Sequence, residues 1–182
     1  MVNRHTANKI RKTHRYLGIF IGIQFLFWTI SGLYFSWTNI DEIHGDQYRK
    51  EYKPKAFSNL ISPSQLDTSI VIHSIQLKNI SDTPYYWINN EKLYNAQTGV
   101  LKNSITIAEA KNIASMYLLP SLKISKVELI KEVDKQHEYR EKLLPAYVIS
   151  YEEQNNLKAY ISVNDGTFQT IRHRSWRWFD FL

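Results

Sequence analysis

The sequence predicts an α+β protein with one N-terminal transmembrane helix and an extracytoplasmic domain of two repeated units, each a helix followed by an antiparallel sheet. The first observation is an uncharged run from Leu17 to Trp37 behind a strongly basic start. The second is a pair of helix-start signals, each followed by strand-like segments of alternating polarity and a turn that contains glycine.

The N-terminal helix is predicted from length and charge. Residues 1–16 hold five basic residues and no acidic one. The next 21 residues carry no charge and span about 31 Å as a helix, close to the apolar thickness of a bilayer. Because flanking lysine and arginine stay on the cytoplasmic side, we expect a cytoplasmic N-terminus. A cleavable signal peptide is the alternative, but it has a shorter apolar region and small residues at its end, whereas this run ends in Tyr34, Phe35, Ser36 and Trp37.

Composition excludes several classes of function. Beyond residue 16 the chain has 18 basic and 17 acidic residues, so the net charge of +6 comes from the N-terminal segment and does not indicate nucleic-acid binding. Cysteine is absent. Disulfides, thiol catalysis and thiolate metal sites are therefore excluded for these residues.

Small residues recur on one face of the predicted membrane helix. The spacings of 4, 7, 3 and 4 predict a face that packs against another helix, and this small-residue face consists of Gly18, Gly22, Thr29, Gly32 and Ser36. The alternative is that glycine is common in membrane helices for other reasons.

His14 lies one turn before Gly18 on the same face. Imidazole is a common ligand of haem iron, and the glycines at 18 and 22 would leave room for a flat macrocycle. The alternative is an interfacial basic residue among other basic residues. His44, next to Asp41, Glu42 and Asp46, is a weaker candidate for a cation or haem ligand, and on a continuous helix it would lie about 45 Å from His14.

Two stretches of the C-terminal part share one pattern. Ser62-Pro63-Ser64-Gln65 and Thr106-Ile107-Ala108-Glu109 both have the form of a helix start. Proline precedes the middle strand of each copy, at Pro84 and Pro145, and a glycine turn closes each copy, at Gly99 and Gly166. The predicted strands are 70–77, 85–88 and 93–96 in the first copy, and 126–133, 146–151 and 160–163 in the second.

This order of elements resembles the PepSY domain, and the whole chain resembles the N-terminal part of a PepSY-associated transmembrane protein. The residues that carry the resemblance are Arg11-x-x-His14-Arg15-x-x-Gly18, Trp28-x-x-Ser31-Gly32, Thr106-Ile107-Ala108-Glu109-Ala110 and Tyr160-Ile161-Ser162-Val163-Asn164-Asp165-Gly166. It implies these segments: 1–16 basic and cytoplasmic, 17–37 transmembrane, 38–57 connector, 58–103 a degenerate PepSY-like unit, 104–172 a PepSY domain, and 173–182 an aromatic interfacial segment leading to membrane helices outside this sequence.

The resemblance implies two functions. One is the N-terminal part of a haem b protein of the bacterial inner membrane, a component of ferric-siderophore reduction or uptake. There, His14 would be one axial ligand beside Gly18 and Gly22, the second ligand would lie outside this chain, and the main domain would be periplasmic. The other is a non-enzymatic binding module that is tethered to the membrane and holds a peptide or protein partner. Both imply a membrane. The small-residue face implies a helical partner, supplied by further helices of the same longer protein or by an oligomer.

Other catalysis has little support in the sequence. An acidic cluster of five carboxylates, with His137 among them, alternates with Lys131, Lys135, Arg140 and Lys142, which is typical of a solvated strand and loop. The carboxylates are Glu128, Glu132, Asp134, Glu138 and Glu141. We expect His73 in a strand and His173 at the membrane interface. Neither a nucleophile triad nor a glycine-rich phosphate loop is present in the sequence.

Overall fold

The computed structural model describes residues 3–66, 69–152 and 155–181, which form two compact units. The first contains helix α1, Arg4–Trp37. The Asn3 side chain accepts a hydrogen bond from the His5 N–H at its start, and none of its 34 residues is buried. α1 is long and apolar enough to cross a membrane.

The second unit, residues 41–181, is the C-terminal domain and contains two four-stranded antiparallel sheets, each in sequential strand order. The first sheet consists of β1 Ile75–Ile80, β2 Thr83–Ile88, β3 Lys92–Asn95 and β4 Leu101–Lys102. The second consists of β5 Ile124–Ile130, β6 Ala146–Tyr151, β7 Lys158–Ser162 and β8 Phe168–Arg172. The helices are α2 Ile40–His44, α3 Ile107–Tyr117 and α4 Arg174–Phe181, with 3-10 turns at Asp46–Tyr48 and Pro63–Gln65. The α+β class is confirmed.

The two sheets share one core around α3. The helix buries Ala110, Ile113 and Ala114, and it contacts β1 of the first sheet together with β6, β7 and β8 of the second. The same hydrophobic cluster contains Trp87 from the first sheet and Ile161 from the second. The sequence left open whether its two predicted units share a core, and this packing shows that the two sheets do.

The opposite face of each sheet is covered by an irregular segment. Leu60, Ile61, Leu66 and Ile70 lie against the outer face of the first sheet. Tyr139 and its neighbours in the loop between β5 and β6 cover the outer face of the second, where the Tyr139 ring stacks on Tyr160 at 4.5 Å. Side chains on both faces of the central strands are therefore removed from water.

One predicted helix start is confirmed and the other is not. Thr106 caps α3, and its backbone N–H donates to Glu109 Oε2 at 2.7 Å, which completes a capping box. The start at Ser62 leads only to the 3-10 turn Pro63–Gln65, and residues 67 and 68 lie outside the described residues. The apolar residues around this turn cover the first sheet, which needs an irregular path.

The predicted strands are present with shifted ends, and two strands were missed. β6 has the predicted bounds, whereas the strand predicted at 70–77 is β1, Ile75–Ile80. β4 and β8 follow the glycine turns and were not predicted. Both turns close in the same way: the Gly99 N–H donates to Asn95 O and the Gly166 N–H to Ser162 O, with φ of +75° and +68°.

The predicted connector, residues 38–57, packs partly against the domain. Tyr48 is buried, the Lys50 N–H donates to Tyr117 O at 2.9 Å, and the Leu119 N–H donates to Tyr48 O at 3.0 Å. Tyr52 stacks on Tyr117 at 4.6 Å between ring centroids. These contacts attach the connector to the end of α3.

Candidate functional site

The predicted small-residue face of α1 is open. A Cβ added at Gly18, Gly22 or Gly32 would meet nothing within 4 Å. His14 is exposed and lies one turn from Gly18 on the same continuous helix. The Thr29 hydroxyl donates to the Phe25 carbonyl at 2.9 Å, so its polar group is satisfied within the helix. The predicted face therefore presents one imidazole and a path of little side-chain bulk, with Ser36 at its far end.

Gln24 is a polar residue in the middle of α1 that the sequence analysis did not single out. Its side chain is exposed, and within residues 3–66, 69–152 and 155–181 its amide has no hydrogen-bond partner. An unpaired amide is costly in the apolar part of a membrane. The signal was present in the sequence, because an amide in an uncharged span is itself unusual.

The acidic segment around His44 forms no ligand cluster. His44 is exposed, and Asp46 pairs with Arg49 at 3.6 Å. In the part of the chain that the structure describes, no three residues of the types His, Cys, Asp and Glu lie together as a group able to hold a metal ion.

Glu138 is a buried carboxylate, although the sequence predicted a solvated one. The acidic cluster was expected to be solvated, but the Glu138 side chain is only 11% exposed. Its Oε1 accepts from the Tyr160 hydroxyl at 2.5 Å and from Arg177 Nη2 at 3.0 Å, and its Oε2 accepts from Arg177 Nε at 2.5 Å. Lys158 Nζ lies 3.5 Å from Oε1. The Glu138 cluster, defined by these four residues, joins the β5–β6 loop, β7 and α4.

Glu138 and Tyr160 have shifted pKa values within the Glu138 cluster. Burial by itself raises the pKa of Glu138, but hydrogen bonds from Arg177 and Tyr160 and the charges of Arg177 and Lys158 outweigh it, so the pKa lies below its ordinary value. Burial and the bond to Glu138 raise the pKa of Tyr160. Glu138 is thus held ionised and Tyr160 neutral, which suits a structural tie better than proton transfer near pH 7.

A second buried carboxylate joins the two sheets. The Asp165 side chain is 5% exposed, and its Oδ2 lies 3.1 Å from Lys78 Nζ on β1. Lys78 Nζ also donates to Thr167 Oγ1 at 2.9 Å. Burial raises the pKa of Asp165, but hydrogen bonds from Ser162 and Thr167 and the charge of Lys78 outweigh it and lower the pKa. The turn that the sequence assigned to Gly166 therefore also connects the sheets.

A cleft of about 450 Å³ lies beside this Lys78–Asp165 pair. Trp87 and Leu143 supply apolar surface, and four side-chain amides line the cleft without a hydrogen-bond partner among the described residues: Gln76, Asn90, Asn164 and Gln169. The cleft carries no net charge because its lysine and aspartate pair with each other. It is suited to an uncharged ligand rich in hydrogen-bonding groups.

The C-terminal segment, predicted to lie at a membrane interface, forms α4 and contacts the domain. Arg177 binds Glu138, and the Arg172 guanidinium lies 3.8 Å from the centre of the Trp176 ring. These two arginines therefore contact other side chains of the domain. Trp178 is 55% exposed.

His173 is buried, and His73 lies outside its expected strand. His173, expected at the interface, is 1% exposed, and its Nε2 lies 3.1 Å from the Ile43 carbonyl oxygen. Burial lowers the pKa of His173 despite that hydrogen bond. His73, expected in a strand, lies in a bend before β1 and is exposed.

Comparison with known proteins adds no assignment: no family model, no curated protein and no solved structure matches this chain.

Proposed function

We propose that this chain is a membrane-anchored PepSY-type protein that acts as the N-terminal part of a haem-containing bacterial inner-membrane protein linked to ferric-siderophore reduction or uptake. The observation that carries the proposal is the open face of α1, where His14 and three glycines share one side of a 34-residue helix with no buried residue. The N-terminus is cytoplasmic and the C-terminal domain periplasmic, which agrees with the basic residues before the span.

The membrane part of the proposal rests on what α1 leaves unpaired. Glycines let a second helix approach closely. Gln24 lies about 120° around the helix from Gly18, so its amide would be paired by a helix that packs on that other side. Further helices, from a longer protein or another subunit, would satisfy both requirements. The two four-stranded sheets and the capped helix α3 support the PepSY-like assignment of residues 58–172.

The residues of α1 fit one side of a haem. His14 is an exposed imidazole, and a Cβ at Gly18 or Gly22 would meet nothing within 4 Å, so the helix leaves space next to these two positions. When bound, haem b supplies one-electron transfer. His14 would provide one nitrogen ligand to the haem iron, and a further helix would provide the second ligand.

The haem proposal is tested on the full-length protein, purified from cells supplied with haem. We expect a Soret absorption band that His14→Ala removes or shifts. His5→Ala is the matched control, since His5 lies on the same exposed basic helix but nine residues away, on the opposite face. The absence of a Soret band, or an unchanged band in His14→Ala, would overturn the proposal.

Helix packing is tested separately by energy transfer between labelled copies, and between a labelled copy and any co-purifying subunit, in lipid vesicles. Gly22→Leu should reduce association at least severalfold, because it adds bulk to the open face. Ile23→Trp also enlarges a side chain, about 100° away around the helix, and should have little effect. Equal effects of both variants would exclude the small-residue face as the contact.

A second function, a tethered module that holds a peptide or protein partner, is favoured by the inter-sheet cleft with its four unpaired amides. The test is binding of the full-length protein in detergent to an array of peptides, with a Gln76→Ala/Gln169→Ala double variant. Loss of the bound peptides in that variant supports the module, and an array without any bound peptide argues against it.

A further inference from the structure

The four edge strands of the two sheets are protected from pairing with other chains to different degrees. An edge strand presents unpaired N–H and C=O groups, and proteins normally block it by short length, a bulge, charged side chains or a covering segment. In the C-terminal domain the edges are β1 and β4 in the first sheet and β5 and β8 in the second.

Three of these edges are blocked. β4 has only two residues. β5 has a register shift between Ile124 and Lys126, and it carries the exposed pair Lys126 and Glu128. β8 lies beside the start of the domain, where Arg49 contacts the Phe168 ring and Gly45 packs against Ile171.

β1 has none of these features. It pairs with β2 over six residues without a register shift. Its only charged side chain, Lys78, is turned to Asp165 and is therefore unavailable to repel an incoming strand. Ile75 and Leu77 are 42% and 49% exposed, and Val71, just before the strand, is 70% exposed. An unblocked edge with exposed aliphatic residues is expected to attract another strand.

The direction of the backbone groups on β1 follows from its register. The Asn89 N–H donates to Ser74 O, and the two residues are opposite each other when the β1–β2 register is extended by one pair. Hydrogen-bonded pairs alternate in an antiparallel ladder, so the N–H and C=O groups of Ile75, Leu77 and Asn79 point away from β2. Among the described residues no strand other than β2 pairs with β1.

A basic groove continues from one end of β1. It has a volume of about 470 Å³, and Asn79, Asp82 and Glu51 line it together with Lys50, Lys53 and Lys55. Three lysines against two carboxylates leave the groove with a formal charge of +1. Lys55 pairs with Asp82 at 3.0 Å, whereas the side chains of Lys50 and Lys53 have no ion-pair partner among the described residues. An acidic group at the end of a docked strand would meet these two lysines.

We propose that β1 is the docking edge of the C-terminal domain, and that it accepts an extended segment of another protein with aliphatic residues at alternate positions and an acidic end. The added strand would bond the outward groups of Ile75, Leu77 and Asn79, its aliphatic side chains would pack beside Ile75 and Leu77, and its acidic end would face Lys50 and Lys53. This inference rests on the binding-module function and is independent of haem at α1.

The experiment uses full-length protein in detergent and a labelled eight-residue peptide that alternates valine with threonine and ends in two glutamates. We expect saturable binding by fluorescence anisotropy. Hydrogen exchange should slow at least tenfold at the amides of Ile75, Leu77 and Asn79, while Gln76 and Lys78, already bonded to β2, should change little. The same peptide with N-methyl groups on alternate amides should bind at least tenfold more weakly, and so should a version ending in two lysines.

Variants at Leu77 separate backbone pairing from side-chain packing. Leu77→Pro removes only an outward N–H, which an edge strand tolerates, and should abolish binding. Leu77→Ala keeps that N–H and should weaken binding only severalfold. Leu77→Lys places a charge on the docking edge and should abolish binding. Leu129→Lys is its matched control and should leave binding unchanged, because Leu129 on β5 is 48% exposed and Leu77 is 49% exposed. Circular dichroism checks that each variant is folded.

The outcomes distinguish the docking-edge proposal from the binding-module function on which it rests. If the Leu77→Pro and Leu77→Lys variants still bind the peptide, or if hydrogen exchange slows outside β1 instead, β1 is not the docking edge. Either result would remain consistent with the binding-module function. Dimerisation that depends on Leu77 without peptide binding would identify a second copy as the occupant and overturn the proposed partner. Failure of both this peptide and the peptide array would overturn the edge and the module together.

Discussion

Replacement of Glu138 by glutamine should destabilise the C-terminal domain more than any other single charge-neutralising change in the acidic cluster. The glutamine keeps one acceptor oxygen, but its NH2 group faces either Arg177 or the Tyr160 hydroxyl, both of which donate to Glu138. A hydrogen bond to a buried charged group contributes about 1.5–3 kcal/mol. Since the Arg177 and Lys158 side chains are 29% and 31% exposed, water recovers part of the loss, and we expect about 2 kcal/mol.

The expected shift in melting temperature follows from domain size. Residues 41–181 form the compact unit that unfolds, and at about 2.1 cal/mol/K per residue a loss of about 2 kcal/mol lowers Tm by about 7 °C. Thermal unfolding is followed by near-ultraviolet circular dichroism, which reports the packed tyrosines Tyr139 and Tyr160. Glu128→Gln is the matched control, because Glu128 pairs with Lys126 on the surface and should shift Tm by less than about 2 °C.

The pH dependence provides an independent check on Glu138. Because its pKa in the folded domain lies below the ordinary 4.5, ionised Glu138 stabilises the domain above that pH, and this contribution is lost as pH falls through the lowered pKa. The Tm difference between wild type and Glu138→Gln should therefore narrow between pH 7 and pH 3. A constant difference, or equal Tm losses in the Glu138 and Glu128 variants, would refute the role assigned to this carboxylate.

Three further changes test other parts of the domain. Gly45→Ala should lower Tm by several degrees, because φ is +79° and the added Cβ would lie 2.5 Å from Ile171 Cδ1; a near-neutral effect in thermal unfolding would contradict that contact. Asp165→Asn should cost about 1–3 kcal/mol in urea unfolding because it leaves Lys78 partly buried without its carboxylate, and a loss below about 0.5 kcal/mol would show that the sheets do not depend on this pair. Since the pKa of His173 lies below its ordinary 6.5, the domain should lose stability as pH falls from about 7 toward 5, and this part of the loss should be absent in His173→Gln; identical pH profiles would rule out His173 as its source.

Local signals in the sequence predicted the elements that depend on local physics. Thr106 and Glu109 complete the capping box within three residues, and Gly99 and Gly166 adopt the positive φ that their turns require. The helix expected after Ser62 shows where local signals fail, because Leu60, Ile61 and Leu66 form contacts with the first sheet that a regular helix would not provide.

The candidate sites also differ in whether neighbouring residues or distant segments determine them. His14, Gly18 and Gly22 were placed on one helix face by spacing alone, and the structure has them there on an open surface. Their roles in binding haem and helices stay predictions. Glu138 and His173 were assigned to solvent and to an interface because the residues that bury them lie far away in the chain, at Arg177 and Ile43.

The sequence by itself determined the apolar helix, the strand-rich α+β class and the two glycine turns, because hydrophobic period, charge and backbone conformation act over a few neighbouring residues. Only the tertiary structure decided that one core joins both sheets and that Lys78 is withdrawn to Asp165, which leaves β1 as the unblocked edge. Burial and edge exposure are sums over contacts between distant segments, and no local pattern contains that information.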